Sequence, residues 1–295
     1  MQRNAKSTAA LRKVKYFLLD MDGTIYLDTT LFDGTLDFLD ILKKQGRRAI
    51  YITNNSSKDT VEYIKKLHRL GIETVDDDFC TSANALVYNL NKVTPGARIY
   101  LVGTPPLADY LERSGFRIVD DYYEEPEKRP DYVVLGFDTT LTYEKLRIAC
   151  DYLTDGVKYW ATHPDMVCPM RPGHSVPDAG AFMLLIEGAT GRKPEFVAGK
   201  PNPCMIQMVM DKYGLKPEEV AVVGDRMNTD ILSAINAGVV SVCVLTGETT
   251  LKDIDAAPAE RKPEYVFDSI KDIYEILRGS RGTKCRKAER KDSNG

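Results

Sequence analysis

Short apolar runs alternate with amphipathic stretches along almost the whole chain. The runs at 16–19, 49–53, 98–102, 132–136, 159–162, 196–198, 220–223 and 241–245, with a weaker one at 265–267, predict β-strands. Several are continuously apolar, as strands covered on both faces must be. Between them, apolar residues recur at three- and four-residue spacing. This predicts helices near 34–46, 59–70, 82–91, 106–114, 142–154, 178–190, 203–213, 229–237 and 268–278. Asp59 is a candidate cap for the second helix and Gly71 its terminator, while Gly238 ends the helix that begins near Thr229. Such alternation predicts right-handed βαβ units and a mostly parallel sheet, an α/β fold.

In a parallel sheet ligands bind beyond the carboxyl ends of the strands, so the residues that follow each run are the first candidates for chemistry. The first run passes directly into Asp20-Met21-Asp22-Gly23-Thr24. Alternation along a strand lets both carboxylates face one side. Close carboxylates repel, and a divalent cation is a common way to keep both useful. The plain alternative is a turn after a strand with aspartates as caps. The second run ends in Thr53-Asn54-Asn55-Ser56-Ser57, short donors before a helix, which suit either an anion or an ordinary helix start. The run at 196–198 precedes Gly199-Lys200-Pro201, a lysine held by the following proline or a solvated loop cation. The run at 220–223 ends in Gly224-Asp225, with Asp230 at the start of the next helix. Asp225 can ligate a hard cation. Asp230 can hold its water, orient Lys200, or simply favour the helix dipole.

Composition narrows the class. The 295 residues contain 40 basic and 43 acidic side chains, a net charge of −3, which argues against a nucleic-acid polymer as partner. At roughly 100–200 residues per domain, two domains are expected. No apolar run approaches the roughly 20 residues that span a bilayer. The basic N-terminus is not followed by a signal-peptide pattern. The six cysteines form no CxxC pair, which predicts reduced, mostly buried thiols and a cytoplasmic protein. Residues 281–295 carry six basic side chains and no apolar periodicity, and are expected to be a disordered tail.

Four strand ends thus present Asp-x-Asp, Thr, Lys and Gly-Asp-x4-Asp in that order. Here the chain resembles the haloacid dehalogenase-like hydrolase superfamily, from about Lys15 to about Gly279. Asp20-Met-Asp22-Gly-Thr24, Thr53, Lys200 and Gly224-Asp225 with Asp230 match its four motifs. The long gap between Thr53 and Lys200 is similar to the C2-capped branch. Within that branch, Thr53-Asn-Asn-Ser56, Thr162-His163-Pro164-Asp165 and Ala198-Gly-Lys-Pro201 look like the NagD-like, para-nitrophenyl phosphatase type, subfamily IIA. Two departures stand out: that type usually reads Thr-Asn-Pro-Asp where this chain has His163, and Pro-Gly-x-Gly where it has Pro177-Asp178-Ala-Gly180.

The resemblance implies a Rossmann-like parallel-sheet core at 1–81 and 181–280 with an inserted α/β C2 cap domain at 82–180. It implies magnesium-dependent hydrolysis of small phosphate monoesters through an aspartyl-phosphate. The esters are of nucleotide, sugar, phosphoglycolate or pyridoxal phosphate type, with para-nitrophenyl phosphate as an artificial substrate. Asp20 would be the nucleophile and Asp22 the general acid and base. Mg2+ would be held by Asp20, the Asp22 carbonyl and Asp225, with Asp230 behind them. Thr53, Asn54 and Lys200 would bind the phosphoryl group. All of these would converge at the rim of one sheet. His163, Asp165 and Arg171, with Met166 and His174, are candidate cap contacts to the substrate. The expected partner is a small phosphorylated metabolite, without nucleic acid or membrane, and a homodimer through the cap follows by family analogy. The alternative is a phosphate-accepting signalling or binding module without ester hydrolysis. A receiver domain has no acid two residues after its phospho-acceptor, so Asp22 separates the two.

Overall fold

The structure is a computed structural model and describes residues 8–57, 60–171 and 173–279; of Arg171 it describes the backbone only. The expected cap Asp59, the Arg171 side chain and the 281–295 tail lie outside the described residues. The chain divides into two units, one within 1–53, 63–80 and 206–295, the other within 54–62 and 81–205.

The first unit is built on a six-stranded sheet. Its order is Tyr265–Phe267, Val240–Val244, Val220–Gly224, Tyr16–Leu19, Arg48–Thr53 and Phe79–Thr81. The pairings from Tyr265–Phe267 through to Arg48–Thr53 are parallel. Every residue of Val220–Gly224 and Val240–Val244 is buried, as their unbroken apolar runs require of strands covered on both faces. On one face, helix Thr35–Lys44 presents Phe38 and Leu42, and helix Ile270–Arg278 presents Ile270, Ile273, Ile276 and Leu277. These join Phe17, Leu19, Val223 and Val242 in one core, with Phe38 edge-on to Phe17 at 5.5 Å. Each such side chain contributes about 1.5–3 kcal/mol when fully buried. On the other face a smaller cluster holds Ile231, Cys243, Ile254 and Val266.

Register explains why polar ends gather. Leu19 lies beside Val223 on one side and Tyr51 on the other. Asp20 therefore leaves the sheet level with Gly224, one residue before Asp225, and near the end of the strand that closes on Thr53. Gly238 ends the helix Leu232–Ala237 in the left-handed conformation, and Gly71 follows helix Thr60–Arg69 in the same conformation, both as expected.

The second unit carries a five-stranded sheet of order Phe196–Val197, Lys158–Ala161, Tyr132–Leu135, Arg98–Val102 and Arg117–Val119, with parallel pairings. It also has an antiparallel hairpin, Val167–Arg171 with His174–Pro177. The division differs from the expected one. The segment from 181 to 205 was expected with the core, yet Phe196 pairs with Trp160 and Val197 with Ala161, inside the second sheet. The reason is apolar. Helix Ala179–Thr190 sends Phe182, Met183 and Ile186 into the second unit's core, and the Phe196 ring lies 4.5 Å from that of Trp160. Residues 54–57 and 60–62 go with this unit too.

Candidate active site

In the first unit, ligand oxygens of Asp20, Asp225 and Asp230 all lie within 4.8 Å of one another. Asp225 is 3% exposed and Asp230 0%. Burying charged carboxylates is costly unless other groups compensate. Backbone amides and a threonine hydroxyl supply part of that compensation. Glu248 N–H donates to Asp225 Oδ2 at 2.8 Å, Thr24 Oγ1 to Asp225 Oδ1 at 3.3 Å, and Arg226 N–H to Asp230 Oδ2 at 3.2 Å. Burial lowers the Arg226 pKa, but Glu248, Asp225, Asp20 and Asp230 outweigh it and raise the value overall. That cation also pairs with Glu248 at 3.0 Å. Asp230 sits in a π-turn, Met227–Ile231, a feature often found at functional sites.

Three glycines make room for this cluster. A Cβ at Gly23 would lie 2.7 Å from Asp225 Oδ2, one at Gly224 2.3 Å from the Asp230 Cβ, and one at Gly247 2.0 Å from Asp225 Oδ2. The loop after Val240–Val244 thus belongs to the site, and Thr246 Oγ1 donates to the Gly23 carbonyl at 2.6 Å. Sequence reasoning missed Thr246, Gly247 and Glu248, although their place after a buried strand is the same signal that marked the other four ends.

Asp22 stands apart from the trio. Its side chain is 64% exposed and 3.8 Å from Lys66 Nζ, which also lies 3.9 Å from the centre of the Tyr26 ring. The Asp22 pKa is raised, first by lost hydration and also by the charge of Asp28, while Lys66 and Arg226 pull it down. Thr53 ends strand Arg48–Thr53 beside the first strand. The donor set is therefore hard, oxygen-rich and negatively charged, which fits a divalent cation of the magnesium or calcium kind.

In the second unit a different set assembles around Asn54 and Lys200. Lys200 N–H donates to Asn54 Oδ1 at 2.7 Å, and Asn54 Nδ2 donates to the Lys200 carbonyl at 3.0 Å and to Asp165 Oδ1 at 3.1 Å. The Asn54 side chain thus clamps the Lys200 backbone, a role its sequence context did not reveal. His163, expected as a substrate contact, is instead 0% exposed, with both ring nitrogens bonded inside the unit, to Thr162 Oγ1 and to Asp178 Oδ1, each at 2.9 Å. The Asp165 carboxylate is held by Asn54. Met166 and His174 are exposed.

Among the described residues no cysteine is in a disulfide; Cys80 and Cys243 are buried and Cys150, Cys168 and Cys204 only partly so, fewer buried than expected. No helix among the described residues is long and apolar enough to cross a membrane.

Comparison with known proteins adds to this geometry. A profile described as haloacid dehalogenase-like hydrolase matches residues 17–117, and a second, described as HAD-hydrolase-like, matches 197–273. The chain is 36% identical over 260 residues to an acid sugar phosphatase of Staphylococcus epidermidis, covering 88% of this chain and 96% of that protein. Among solved structures it is similar to a 4-nitrophenylphosphatase from Thermotoga maritima, with a TM-score of 0.84 and 45% identity over 91% of this chain and 99% of that one. It is also similar to a glycerol phosphate phosphatase from Mycobacterium tuberculosis solved in complex with magnesium. There the TM-score is 0.81 and the identity 30%, over 90% of this chain and 76% of that one.

Proposed function

We propose, for a chain that belongs to the haloacid dehalogenase-like hydrolases in the NagD-like subfamily IIA and is a phosphatase, magnesium-dependent hydrolysis of small phosphate monoesters, with phosphorylated sugars or polyols as the physiological class. Support for the substrate class comes from the relatives named for acid sugar phosphate and glycerol phosphate hydrolysis. Support for the chemistry comes above all from the gathering of Asp20, Asp225 and Asp230 oxygens within 4.8 Å at one sheet edge.

An Asp20 carboxylate oxygen attacks phosphorus and forms an aspartyl-phosphate, while the bond from phosphorus to the ester oxygen breaks. Asp22 gives its proton to the leaving alkoxide. Its raised pKa is the direction such an acid needs. Asp22, now a base, then takes a proton from water; the hydroxide attacks phosphorus, and the bond to Asp20 breaks to release inorganic phosphate. Thr53, the Asn54 backbone and Lys200 hold the phosphoryl oxygens. Asp20, Asp225 and the Asp22 carbonyl would hold magnesium, with Asp230 steadying the turn behind Asp225; bound there, the ion supplies positive charge that offsets repulsion between a phosphate dianion and the carboxylates. Positioning and electrostatics carry most of the work in phosphoryl transfer.

A phosphate-release screen of the purified chain with magnesium, against sugar, polyol, nucleotide, pyridoxal and para-nitrophenyl phosphates, tests the reading. Preference for a sugar or polyol phosphate is expected. Release from nucleotides alone would overturn the substrate class, and no release from any ester would overturn the hydrolytic reading.

A further inference from the structure

His163 and Asp178, the residues where the resemblance implies Asn and Gly, are hydrogen-bonded to each other. His163 Nε2 lies 2.9 Å from Asp178 Oδ1, with His163 0% and Asp178 4% exposed. Asp178 Oδ1 also accepts Ala179 N–H at 2.6 Å. On the other side, His163 Nδ1 lies 2.9 Å from Thr162 Oγ1, Thr162 Oγ1 lies 3.1 Å from Ser56 Oγ, and Phe137 N–H donates to Ser56 Oγ at 3.3 Å.

With a neutral ring, one assignment of protons satisfies every contact. A carboxylate has no proton to give, so Nε2 carries the proton and Nδ1 is the acceptor. Thr162 then donates to Nδ1, Ser56 donates to Thr162, and the Phe137 amide donates to Ser56. The charge on Asp178 thereby sets the tautomer and the tilt of a buried ring. An Asp165 oxygen also lies within 4.8 Å of these groups. Both ring nitrogens are bonded already and Asp165 is held by Asn54, so the trio is a closed network and not an ion site.

The network borders Lys200. Gly199 N–H donates to the Thr162 carbonyl at 2.6 Å. A Cβ at Gly199 would lie 2.8 Å from the His163 Cβ and 2.6 Å from Asn54 Oδ1, so the backbone there passes in direct contact with His163. The next residue is clamped by Asn54 on its amide and its carbonyl. We propose that His163 and Asp178 are a coupled pair of positioning residues, which fix the Gly199-Lys200 backbone and so aim the Lys200 ammonium. This rests on the reading that Lys200 binds the phosphoryl group. Both side chains are too buried to touch an ester, so they act through Lys200.

The test uses the full chain with magnesium and para-nitrophenyl phosphate. Kcat and KM are measured for His163→Ala, Asp178→Ala and Lys200→Ala, and for the two double variants that combine Lys200→Ala with each of the others. A misplacement of order 1 Å can lower rate by about 10²-fold. His163→Ala and Asp178→Ala are therefore expected to lose about ten- to a hundred-fold in kcat per folded molecule, with the folded fraction read by circular dichroism. Adding either change to Lys200→Ala should lower kcat no further, because the pair acts through that lysine. Losses that multiply in the double variants, or wild-type kcat in the single ones, would overturn the proposal. Should an alanine variant fail to fold, His163→Gln and Asp178→Asn carry the same comparison. Wild-type kcat in Lys200→Ala would instead defeat the underlying reading of Lys200, an outcome separate from failure of the pair.

Discussion

Each unit of the chain holds a buried polar cluster, and the two differ in the charge they gather. In the first, Asp20, Asp225 and Asp230 approach within 4.8 Å of one another. Like charges about 4 Å apart repel by about 4 kcal/mol at an effective dielectric of about 20. The Arg226 guanidinium opposes this charge but is shared with Glu248. In the second, each acid meets a donor inside the cluster: Asp178 takes His163 and Asp165 takes Asn54. A cluster of three close carboxylates offers the hard oxygen donors that suit a divalent cation. A closed one is already complete and can only hold other groups in place. Burial alone therefore does not separate a candidate ion site from a structural network; the set of groups brought together does.

Substitutions can break this contrast. The largest effect is expected at Asp20. Asp20→Asn should lower phosphate release from para-nitrophenyl phosphate by about 10⁴-fold or more, with an unchanged circular dichroism spectrum. Asp22→Asn should also leave little turnover, while calorimetry still detects magnesium binding. Lys200→Ala should lower kcat by about 10²–10³-fold, the range for loss of one donor to developing charge, and again leave the fold intact.

Stability separates the two clusters more finely. Magnesium at about a hundred times its dissociation constant should stabilise the wild type by about 2.7 kcal/mol, read as a rise in melting temperature. The same rise is expected in Asp178→Asn and should vanish in Asp225→Asn. The smallest effect is expected in chelator. There Asp225→Asn should melt within a few degrees of the wild type, because relieved repulsion with Asp20 and Asp230 offsets the weakened hydrogen bonds from Glu248 N–H and Thr24 Oγ1. Asp178→Asn should lose about 1.5–3 kcal/mol, the usual contribution of a hydrogen bond to a charged group.

The sequence made the first cluster legible and left the second dark, for a physical reason. Asp20, Thr53 and Asp225 each follow an apolar strand, and parallel strands that start in register end in register, so linear order translates into proximity. The loop 246–248 obeys the same rule, but it touches the cluster through the Gly247 backbone, the Glu248 amide and the Thr246 hydroxyl, which side-chain chemistry in the sequence does not announce. The second cluster joins Ser56, Phe137, His163 and Asp178 through single hydrogen bonds between loops. No periodicity encodes such contacts. His163 and Asp178 looked like two separate oddities in the chain, and only coordinates reveal that one answers the other. The boundary near 181 was misjudged for a related reason. Strand Phe196–Val197 is two residues long, and its partner is decided by the packing of Phe196 on Trp160, which sequence spacing does not express. The edge strands Phe79–Thr81 and Arg117–Val119 were missed because each holds only two consecutive apolar residues, where Tyr265–Phe267 holds three.

The most direct check on the account is the magnesium dependence of phosphate release from para-nitrophenyl phosphate, measured side by side for the wild type and Asp225→Asn. The wild type should turn over in proportion to saturation by magnesium and fall silent in chelator, while Asp225→Asn should stay inactive or demand far more of the ion. Full wild-type turnover in chelator, or an Asp225→Asn variant with an unaltered magnesium requirement, would contradict it.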